Sequence, residues 1–308
     1  MVSTRSQYLN ASAEQRFIRA LENDEDKMLK KVRELQKVCL RGVVEDFESH
    51  VHNEYSVIHT VSLKSFIMKY NGEMKVDEEK IIFVNPVINH PELQTNVSDD
   101  KTALRNLKLE QKVKKTVSYV HESSLQGKKI SSVYVDSAYN LMKEIVKFTN
   151  QHGNNLYGQN IFGDLGFALS TQKFCGGKVA VKDSIRKEDK IPTSVMIPGW
   201  SDITLVDTLP TFSFHTPITL SKYKNWAYKN GVMKEKSIYP STLEMLSRFV
   251  NDNPRKSQSH IAPDDTKDLI QLMQHMVNND GIKCLMSKSN RIGKFDTGRP
   301  VLSDRQEE

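Results

Sequence analysis

Residues 56–70 read SVIHTVSLKSFIMKY and are followed directly by Asn71-Gly72. β-Branched and aromatic residues lie close to an alternating pattern in this stretch, which favours a strand. Asn-Gly is the strongest short-range signal for a hairpin turn. A short apolar run at 80–84 would form the second arm. The sequence therefore predicts a β-hairpin here, and the rest of the fold is predicted outward from it.

Upstream of the hairpin, residues 11–48 predict one long helix, because they contain no Pro and a single Gly. The predicted apolar stripe consists of Ile18, Leu21, Met28, Val32, Leu35 and Cys39. Written as heptads, the stripe reaches the threshold for a coiled coil. Two interpretations stay open: an amphipathic helix that packs on its own domain, or an arm for self-association.

Downstream of the hairpin, residues 101–130 carry eight basic and two acidic side chains. They predict a basic helix that runs into a strand near 116–121. A strand at 130–135 and a helix at 137–150 are predicted next.

Residues 156–220 are β-like and closely punctuated by Gly and Pro. The candidate strands are 161–169, 178–181, 194–197, 203–206 and 211–215. Many short strands at this spacing are typical of a sandwich or barrel. Helices are predicted again at about 241–250, where Ser241 and Glu244 form a capping box, and at about 263–279.

The predicted fold class is α+β, with a long N-terminal helix, a β-rich central core of barrel or jelly-roll type, and a helical C-terminal third. The predicted domains are a helical arm at 1–50, a β-rich core with a basic helical insertion at 51–240, a helical pair at 241–287 and a flexible basic tail at 288–308.

Composition excludes several classes of protein. The 308 residues have a net charge of +6, three Cys and a mean hydropathy of −0.53. No run approaches the roughly 20 apolar residues of a membrane span, and three Cys are no disulfide framework. Residues 1–10 are polar, unlike a secretory signal. We expect an intracellular protein.

The search for catalytic motifs predicts no catalytic residue, no metal site and no cofactor, and hence a protein that is not an enzyme. His50 and His52 are the closest His pair, but the residue two before His50 is Glu48, and a predicted helix precedes them. Asp264 and Asp265 are explained by the start of a helix, where carboxylates are favoured. An enzyme whose site is assembled from distant residues stays open.

Positive charge is the one distributed signal, and it predicts nucleic-acid binding. Lysines make sequence-independent contacts to phosphate, and aromatic rings offer stacking surfaces for single-stranded bases. The candidate nucleic-acid contacts are Lys112, Lys114, Lys115, Lys222, Lys224 and Trp226. Trp226 has an equally open interpretation as a core residue. A solvated basic surface and contact with an anionic membrane also stay open.

Residues 154–230 resemble the core of the plant-virus cell-to-cell movement proteins known as the thirty-kilodalton superfamily. The resemblance rests on residues 154–158, on residues 178–186 with Asp183, on Pro198-Gly199 and on residues 212–221. Residues 203–207 match the Asp-containing strand equally well. The resemblance implies a small barrel-like core, cooperative binding of single-stranded RNA, membrane association and action at plasmodesmata without catalysis. It also implies a location in the cytoplasm of a host cell or at its cell junctions. Asp183 would then hold a turn.

The sequence thus predicts a non-enzymatic viral protein that transports single-stranded RNA between cells. The alternative is a nucleocapsid or matrix-type protein that self-assembles. The expected partners are single-stranded RNA, a second copy of the chain through 11–48, and a membrane surface contacted peripherally. No small-molecule substrate is identified.

Overall fold

The computed structural model describes residues 24–31, 33–34, 37–52, 55–85, 100–174, 202–233, 240–286 and 291–292. The strands are β1 (Val38–His52), β2 (Tyr55–Lys69), β3 (Met74–Val84), β4 (Ile130–Val135), β5 (Asn155–Gly158), β6 (Thr204–Asp207) and β7 (Arg291–Ile292). The helices are α1 (residues 24–31), α2 (Asp100–Leu125), α3 (Ala138–Gln151), α4 (Ile161–Phe174), α5 (Thr208–His215), α6 (Pro217–Lys229), α7 (Leu243–Val250), α8 (Ala262–Asp280) and α9 (Lys283–Met286). The predicted mixture of helices and strands is confirmed.

The strands form one mixed sheet in the order β4-β3-β2-β1-β5-β6-β7. β1, β2 and β3 are an antiparallel meander, β4 is parallel to β3, and β5 and β6 continue parallel to β1. Strands β1, β3, β4, β5 and β6 therefore all run in one direction. Their carboxyl ends therefore lie toward the same end of the sheet.

The predicted hairpin is present as the β2–β3 pair. Gly72 adopts a φ of +86°, a left-handed conformation that glycine tolerates without strain. The second arm is longer than predicted, because β3 begins at Met74 and pairs along β2 as far as Phe83.

The predicted N-terminal helix is wrong over 38–48, because these residues belong to β1. Val43 and Val44 are both fully buried although they point to opposite faces of the sheet. Because β1 is covered on both faces, its apolar and polar residues do not alternate strictly, and the period of two by which half-buried strands are recognised is missing. The predicted boundary at 50/51 falls within the β1–β2 hairpin. Residues 1–23 lie outside the described part.

Each face of the sheet is covered by its own helices. On one face, α3 and α4 pack through Leu141, Ile145 and Ala168. On the other face, α6, α7 and α8 pack through Tyr223, Leu246, Leu272 and other apolar residues. No helix of the described residues is both long and apolar enough to cross a membrane.

The predicted barrel in the central region is replaced by helices in the part that is described. Residues 161–169 lie in α4 and residues 211–215 in α5, whereas 203–206 coincides with β6. Asp207 caps α5 by accepting a hydrogen bond from the backbone N–H of Leu209. Glycines within α4 resemble turn punctuation in the sequence. The candidate strands at 178–181 and 194–197, with Asp183, lie outside the described residues.

Most of the other local predictions agree with the structure. β4 and α3 lie where a strand and a helix are predicted, and Ser137 caps α3 by accepting from the N–H of Asn140. The strand predicted near 116–121 is wrong, because α2 continues to Leu125. α7 and α8 match the two predicted C-terminal helices, although the N-cap of α7 is Thr242.

Candidate metal centre

Strand β1 carries two carboxylates at alternate positions. Asp46 and Glu48 are two residues apart, so both side chains point to the face of the sheet that α8 covers. Phe47, between them, packs into the hydrophobic core of the opposite face. β1 is a central strand, so the backbone that presents these carboxylates is held by neighbours on both sides.

The start of α8 brings a third carboxylate and an imidazole to the same place. Asp265 lies in the first turn of α8, and His260 precedes the helix with a φ of +50°. One ligand atom each from Glu48, His260 and Asp265 lie within 4.8 Å of one another. Glu48 and Asp265 are buried, whereas His260 is exposed to solvent. These three residues and Asp46 are called the carboxylate centre below.

His260 has a left-handed backbone conformation, which residues other than Gly seldom adopt. Backbone strain of this kind concentrates at functional sites. In this conformation the residue turns the chain from the loop after α7 into α8. A ring nitrogen of His260 lies within 4.8 Å of a carboxylate oxygen of Glu48 and of Asp265.

The electrostatics of the carboxylate centre are unfavourable to ionised carboxylates without a cation. Burial, reinforced by the charges of Asp265 and Asp164, raises the pKa of Asp46 well above its usual range. Burial, with a contribution from the charge of Glu48, raises the pKa of Asp265 to about 7. Burial also raises the pKa of Glu48, against the effect of Lys112.

Lys112 of α2 makes an ion pair with the centre, its Nζ lying 2.9 Å from Oε2 of Glu48. Among the described residues, no donor reaches Oδ2 of Asp46 or Oδ1 of Asp265, although both atoms are buried. Buried carboxylates of like charge are stable only when protonated or when a cation lies between them.

The first turn of α8 is held by a buried ion pair on β2 and β3. Lys64 is 4% exposed, and its Nζ donates to the carbonyl of Pro263 at 2.5 Å. It also pairs with Oε1 of Glu79 at 3.3 Å. The hydroxyl of Tyr119 on α2 donates to the other oxygen of Glu79 at 2.8 Å. Because Pro263 is two residues before Asp265, this pair fixes the place of that ligand.

A hydroxyl contact supports the same turn. Ser62 of β2 and Thr266 of α8 are hydrogen-bonded at 3.0 Å, and both are fully buried. Thr266 also donates to the carbonyl of Ala262. Together with Lys64 and Glu79, these two residues are called the Lys64 network below.

A further carboxylate, Asp207 at the end of β6, organises the turn before α4. Its Oδ1 accepts hydrogen bonds from the N–H groups of Asn160 and Leu209, each at 3.0 Å. Burial raises the pKa of Asp207, while these two donors lower it. The contact fixes the start of α4, whose first turn carries Asp164.

The predicted lysines of α2 lie in two environments. Lys112 is paired with Glu48 of the carboxylate centre, and this contact joins α2 to β1. Lys114 and Lys115 are exposed, and Lys114 makes only a loose contact of 3.7 Å with Glu110. The predicted contacts of α6 are placed elsewhere: Lys222 donates to Oδ1 of Asn279 on α8, and Lys224 lies on α6 itself.

Trp226 is a core residue, as one of its two interpretations has it. Its side chain is 9% exposed and packs between Tyr223 and Phe249. The indole N–H donates to Oδ1 of Asp252 at 2.9 Å. A base could not stack on this ring without displacing the packed neighbours.

His50, the described member of the His pair singled out in the sequence, is not among the residues that converge on the centre. The ring of His50 lies 6.3 Å from that of His59, also on the β1–β2 hairpin. The side chain of His52 lies outside the described part.

Sequence reasoning missed Asp46, Glu48, His260 and Asp265 as a group. The signal in the sequence is Asp46-Phe47-Glu48 after Val43-Val44-Glu45, because Asp46 and Glu48 would share one face of a strand. The helical heptad assigned to this region concealed it. Nothing local links β1 to His260 and Asp265, which are more than two hundred residues further along the chain.

No protein-family model and no curated protein matches this sequence. Among solved structures, the crystal structure of cell-death related nuclease 4 (CRN-4) is similar over 77% of this chain, with 14% identity and a TM-score of 0.32. The match covers 64% of that chain, so this chain spans less than two thirds of its length. A likeness at this TM-score carries no argument about activity.

Proposed function

We propose that this protein is a phosphodiester hydrolase that uses a divalent cation and acts on nucleic acid. The observation that carries the proposal is the convergence of Glu48, His260 and Asp265 to within 4.8 Å, beside Asp46. Oδ2 of Asp46 and Oδ1 of Asp265 are buried, and no donor of the described residues reaches them. Facing carboxylates with such oxygens are the arrangement expected where a cation supplies the missing charge.

The ligands favour a hard cation. Three of the four groups offer carboxylate oxygens, which suit Mg²⁺ or Mn²⁺, whereas an imidazole is better suited to softer transition metals. We therefore assign Asp46, Glu48 and Asp265 to cation binding. His260 is the exposed member of the centre and is assigned to proton transfer.

The chemistry follows from these roles. A bound cation lowers the pKa of water and stabilises the charge that develops on a phosphoryl group. In the hydrolysis, the water oxygen forms a bond to phosphorus and one phosphorus–oxygen ester bond breaks. The departing oxygen keeps the electron pair of that bond and takes a proton from solvent. His260 accepts the proton of the water from the solvent side, which is a role that imidazole performs near neutral pH.

The charge of the chain supports a polyanionic substrate. Lys114 and Lys115 are exposed on α2, and the same helix reaches the carboxylate centre through Lys112. A phosphate backbone lying along α2 would therefore pass beside the proposed site of hydrolysis. The net charge of +6 favours association with any nucleic acid.

The experiment uses the full chain with single-stranded RNA and DNA oligonucleotides that carry a fluorophore at one end. We expect shortened products with Mg²⁺ or Mn²⁺ and none with EDTA. Asp265→Asn is the matched variant, because the amide keeps the shape and removes the charge. Cleavage that is equal in wild type and Asp265→Asn would mean a contaminating nuclease and would contradict the proposal.

A second candidate function keeps the expectation from the sequence, namely binding and transport of single-stranded RNA without catalysis. The exposed lysines of α2 favour it. The same oligonucleotides separate the two functions. Salt-sensitive binding without any cleavage, equally tight in wild type and Asp265→Asn, is the result expected for transport.

A further inference from the structure

An exposed aromatic ring lies on the same face of the sheet as the carboxylate centre. Four neighbouring strands contribute one register partner each, namely Glu48 of β1, Thr60 of β2, Phe83 of β3 and Tyr134 of β4. Register partners place their side chains on one face of a sheet. Because neighbouring strands are about 4.8 Å apart, the Cα of Tyr134 lies roughly 14 Å from that of Glu48.

The ring of Tyr134 is oriented by the residue beneath it. It stacks on Phe83 with ring centroids 4.8 Å apart and an interplanar angle of 20°. Phe83 is buried, whereas 61% of Tyr134 is exposed. One face of the Tyr134 ring is therefore held against β3, and its exposed surface belongs to the face that points away from β3 and to the ring edges. A planar group that stacks there meets a ring that is already oriented.

Helix α2 crosses this face of the sheet without covering the ring. Its Lys112 contacts Glu48 of β1, and its Tyr119 contacts Glu79 of β3. Tyr134 lies four residues beyond the register partner of Glu79 on β4. Glu48 and Tyr134 both lie toward the carboxyl ends of their strands, so the ring and the carboxylate centre are at the same end of the sheet.

The backbone of Tyr134 offers hydrogen bonds on the side to which the exposed ring face points. β4 is the outermost strand of the sheet that the described residues form, and an edge strand presents unpaired N–H and C=O groups. The C=O of Val135 accepts from the N–H of Asn85, so the backbone of Val135 faces β3. Successive residues of a strand direct these groups to opposite sides. The N–H and C=O of Tyr134 therefore point outward.

An open cavity of about 370 Å³ adjoins Tyr134 at the carboxyl end of β4. The polar side chains that line it are Asp136, Asn140, Lys143 and Glu144. Glu144 forms an ion pair with Lys80 of β3, and the other two charges are one negative and one positive. The cavity therefore has no excess positive charge with which to hold a phosphate group. An uncharged planar group with donors and acceptors on its edge is the better match.

We propose that Tyr134 and the outer edge of β4 bind one base of a single-stranded nucleic acid while a phosphate of the same strand lies at the carboxylate centre. The base stacks on the exposed face of the ring, and its polar edge meets the N–H and C=O of Tyr134. At the 3.4 Å rise of a stacked strand, the separation from Glu48 corresponds to about four nucleotides. This inference rests on the proposed function and adds a base-binding subsite to it.

The test measures binding of fluorescent single-stranded DNA to the full chain in EDTA, by fluorescence anisotropy. One probe is a dodecamer, and the other is an abasic dodecamer with the same backbone charge. We expect Tyr134→Ala to bind the dodecamer roughly 10-fold more weakly than wild type, because a stacking partner is lost. Binding of the abasic strand should be unchanged, as should the salt dependence, because no phosphate contact is lost.

Two further variants are controls. Tyr134→Phe keeps the aromatic face and should bind both probes like wild type. Tyr228→Ala removes a ring that is 66% exposed on α6, away from the sheet edge, and should also bind like wild type. Thermal unfolding checks that each variant folds.

The outcomes separate this inference from the proposed function. Equal binding of the dodecamer by wild type and Tyr134→Ala would overturn the inference, and the outer edge of β4 would then suit another occupant, such as a peptide strand. An equal loss for both probes would overturn it as well. Cation-dependent cleavage by wild type would leave the proposed function standing in either case. Binding that depends on Tyr134, without any cleavage by wild type, would support the base-binding subsite and overturn the hydrolysis.

Discussion

The carboxylate centre and the Lys64 network both include contacts with the first turn of α8, but they differ in how their buried charges are paired. In the Lys64 network each charged group has a partner: Lys64 contacts Glu79, and Tyr119 donates to Glu79. In the carboxylate centre, buried oxygens of Asp46 and Asp265 receive no hydrogen bond from the described residues.

The difference indicates what each region is for. A buried polar network with all partners in place rigidifies a fold, whereas an unsatisfied one is destabilising. The Lys64 network is therefore structural and positions α8. The carboxylate centre keeps an electrostatic cost that a hydrophobic core would avoid, which is what a binding site for a cation requires.

The largest effect is expected from a substitution in the carboxylate centre. Asp265→Asn should reduce cleavage of a single-stranded oligonucleotide by roughly 10³-fold, about 4 kcal/mol, because a cation ligand is lost. The loss is measured as single-turnover cleavage in saturating Mg²⁺. The variant should melt no lower than wild type in EDTA, since one of the facing charges is removed.

The second largest effect is expected from a substitution in the Lys64 network. Lys64→Met should lower the free energy of unfolding by about 3 kcal/mol or more, because it leaves Glu79 buried without its cation. Urea unfolding monitored by circular dichroism measures this. Lys69→Met is the matched control: its pair with Glu73 is largely exposed, so the loss should be much smaller than for Lys64→Met. Equal losses in the two variants would contradict the comparison.

The pH dependence of the stability provides a further test of the carboxylate centre. The pKa of Asp265 is about 7 in the folded chain, against an ordinary value of 3.8. At a pH between these two values, Asp265 is therefore protonated in the folded chain and ionised in the unfolded chain. In EDTA, stability should therefore fall as the pH rises from about 4 to 7. Urea midpoints at pH 5 and pH 8 measure the fall. Mg²⁺ should reduce it, and a fall of the same size in Asp265→Asn would contradict this assignment.

The smallest effect concerns the surface beside the centre. The double variant Lys114→Ala, Lys115→Ala should weaken binding of single-stranded RNA in EDTA and reduce the slope of log K against log salt by roughly 1.4, at about 0.7 per lost contact. Fluorescence anisotropy at several salt concentrations measures the slope. Lys222→Ala with Lys224→Ala is the control on α6 and should leave the slope unchanged. The reverse ranking would place the nucleic acid on α6.

Much of the local structure is predictable from the sequence. The hairpin at Gly72, strand β4 and the capped helix α3 all follow from turn chemistry, period and capping residues within a few positions. α8 follows from its apolar face and its acidic first turn. In each of these the deciding residues are neighbours along the chain, so the sequence contains the whole signal.

The misassigned elements share a physical cause. β1 is buried on both faces, and α4 contains glycines that resemble turn punctuation, so tertiary burial overrides their local patterns. In the same way the indole of Trp226, which lies among lysines in the sequence, is enclosed by Tyr223 and Phe249. Pattern and propensity describe neighbours along the chain and not what covers them.

The sequence by itself determined the basic charge of the chain, the hairpin and several helices, because composition and short-range chemistry are local properties. Only the tertiary structure decided the site. Asp46 and Glu48 are two residues apart on β1, but Asp265 reaches them through a sheet order that places the start of α8 over the centre of the sheet. The packing of α8 on β1, held in place by Lys64, brings carboxylates of like charge together. The electrostatic free energy that this contact costs has no counterpart in any local sequence pattern.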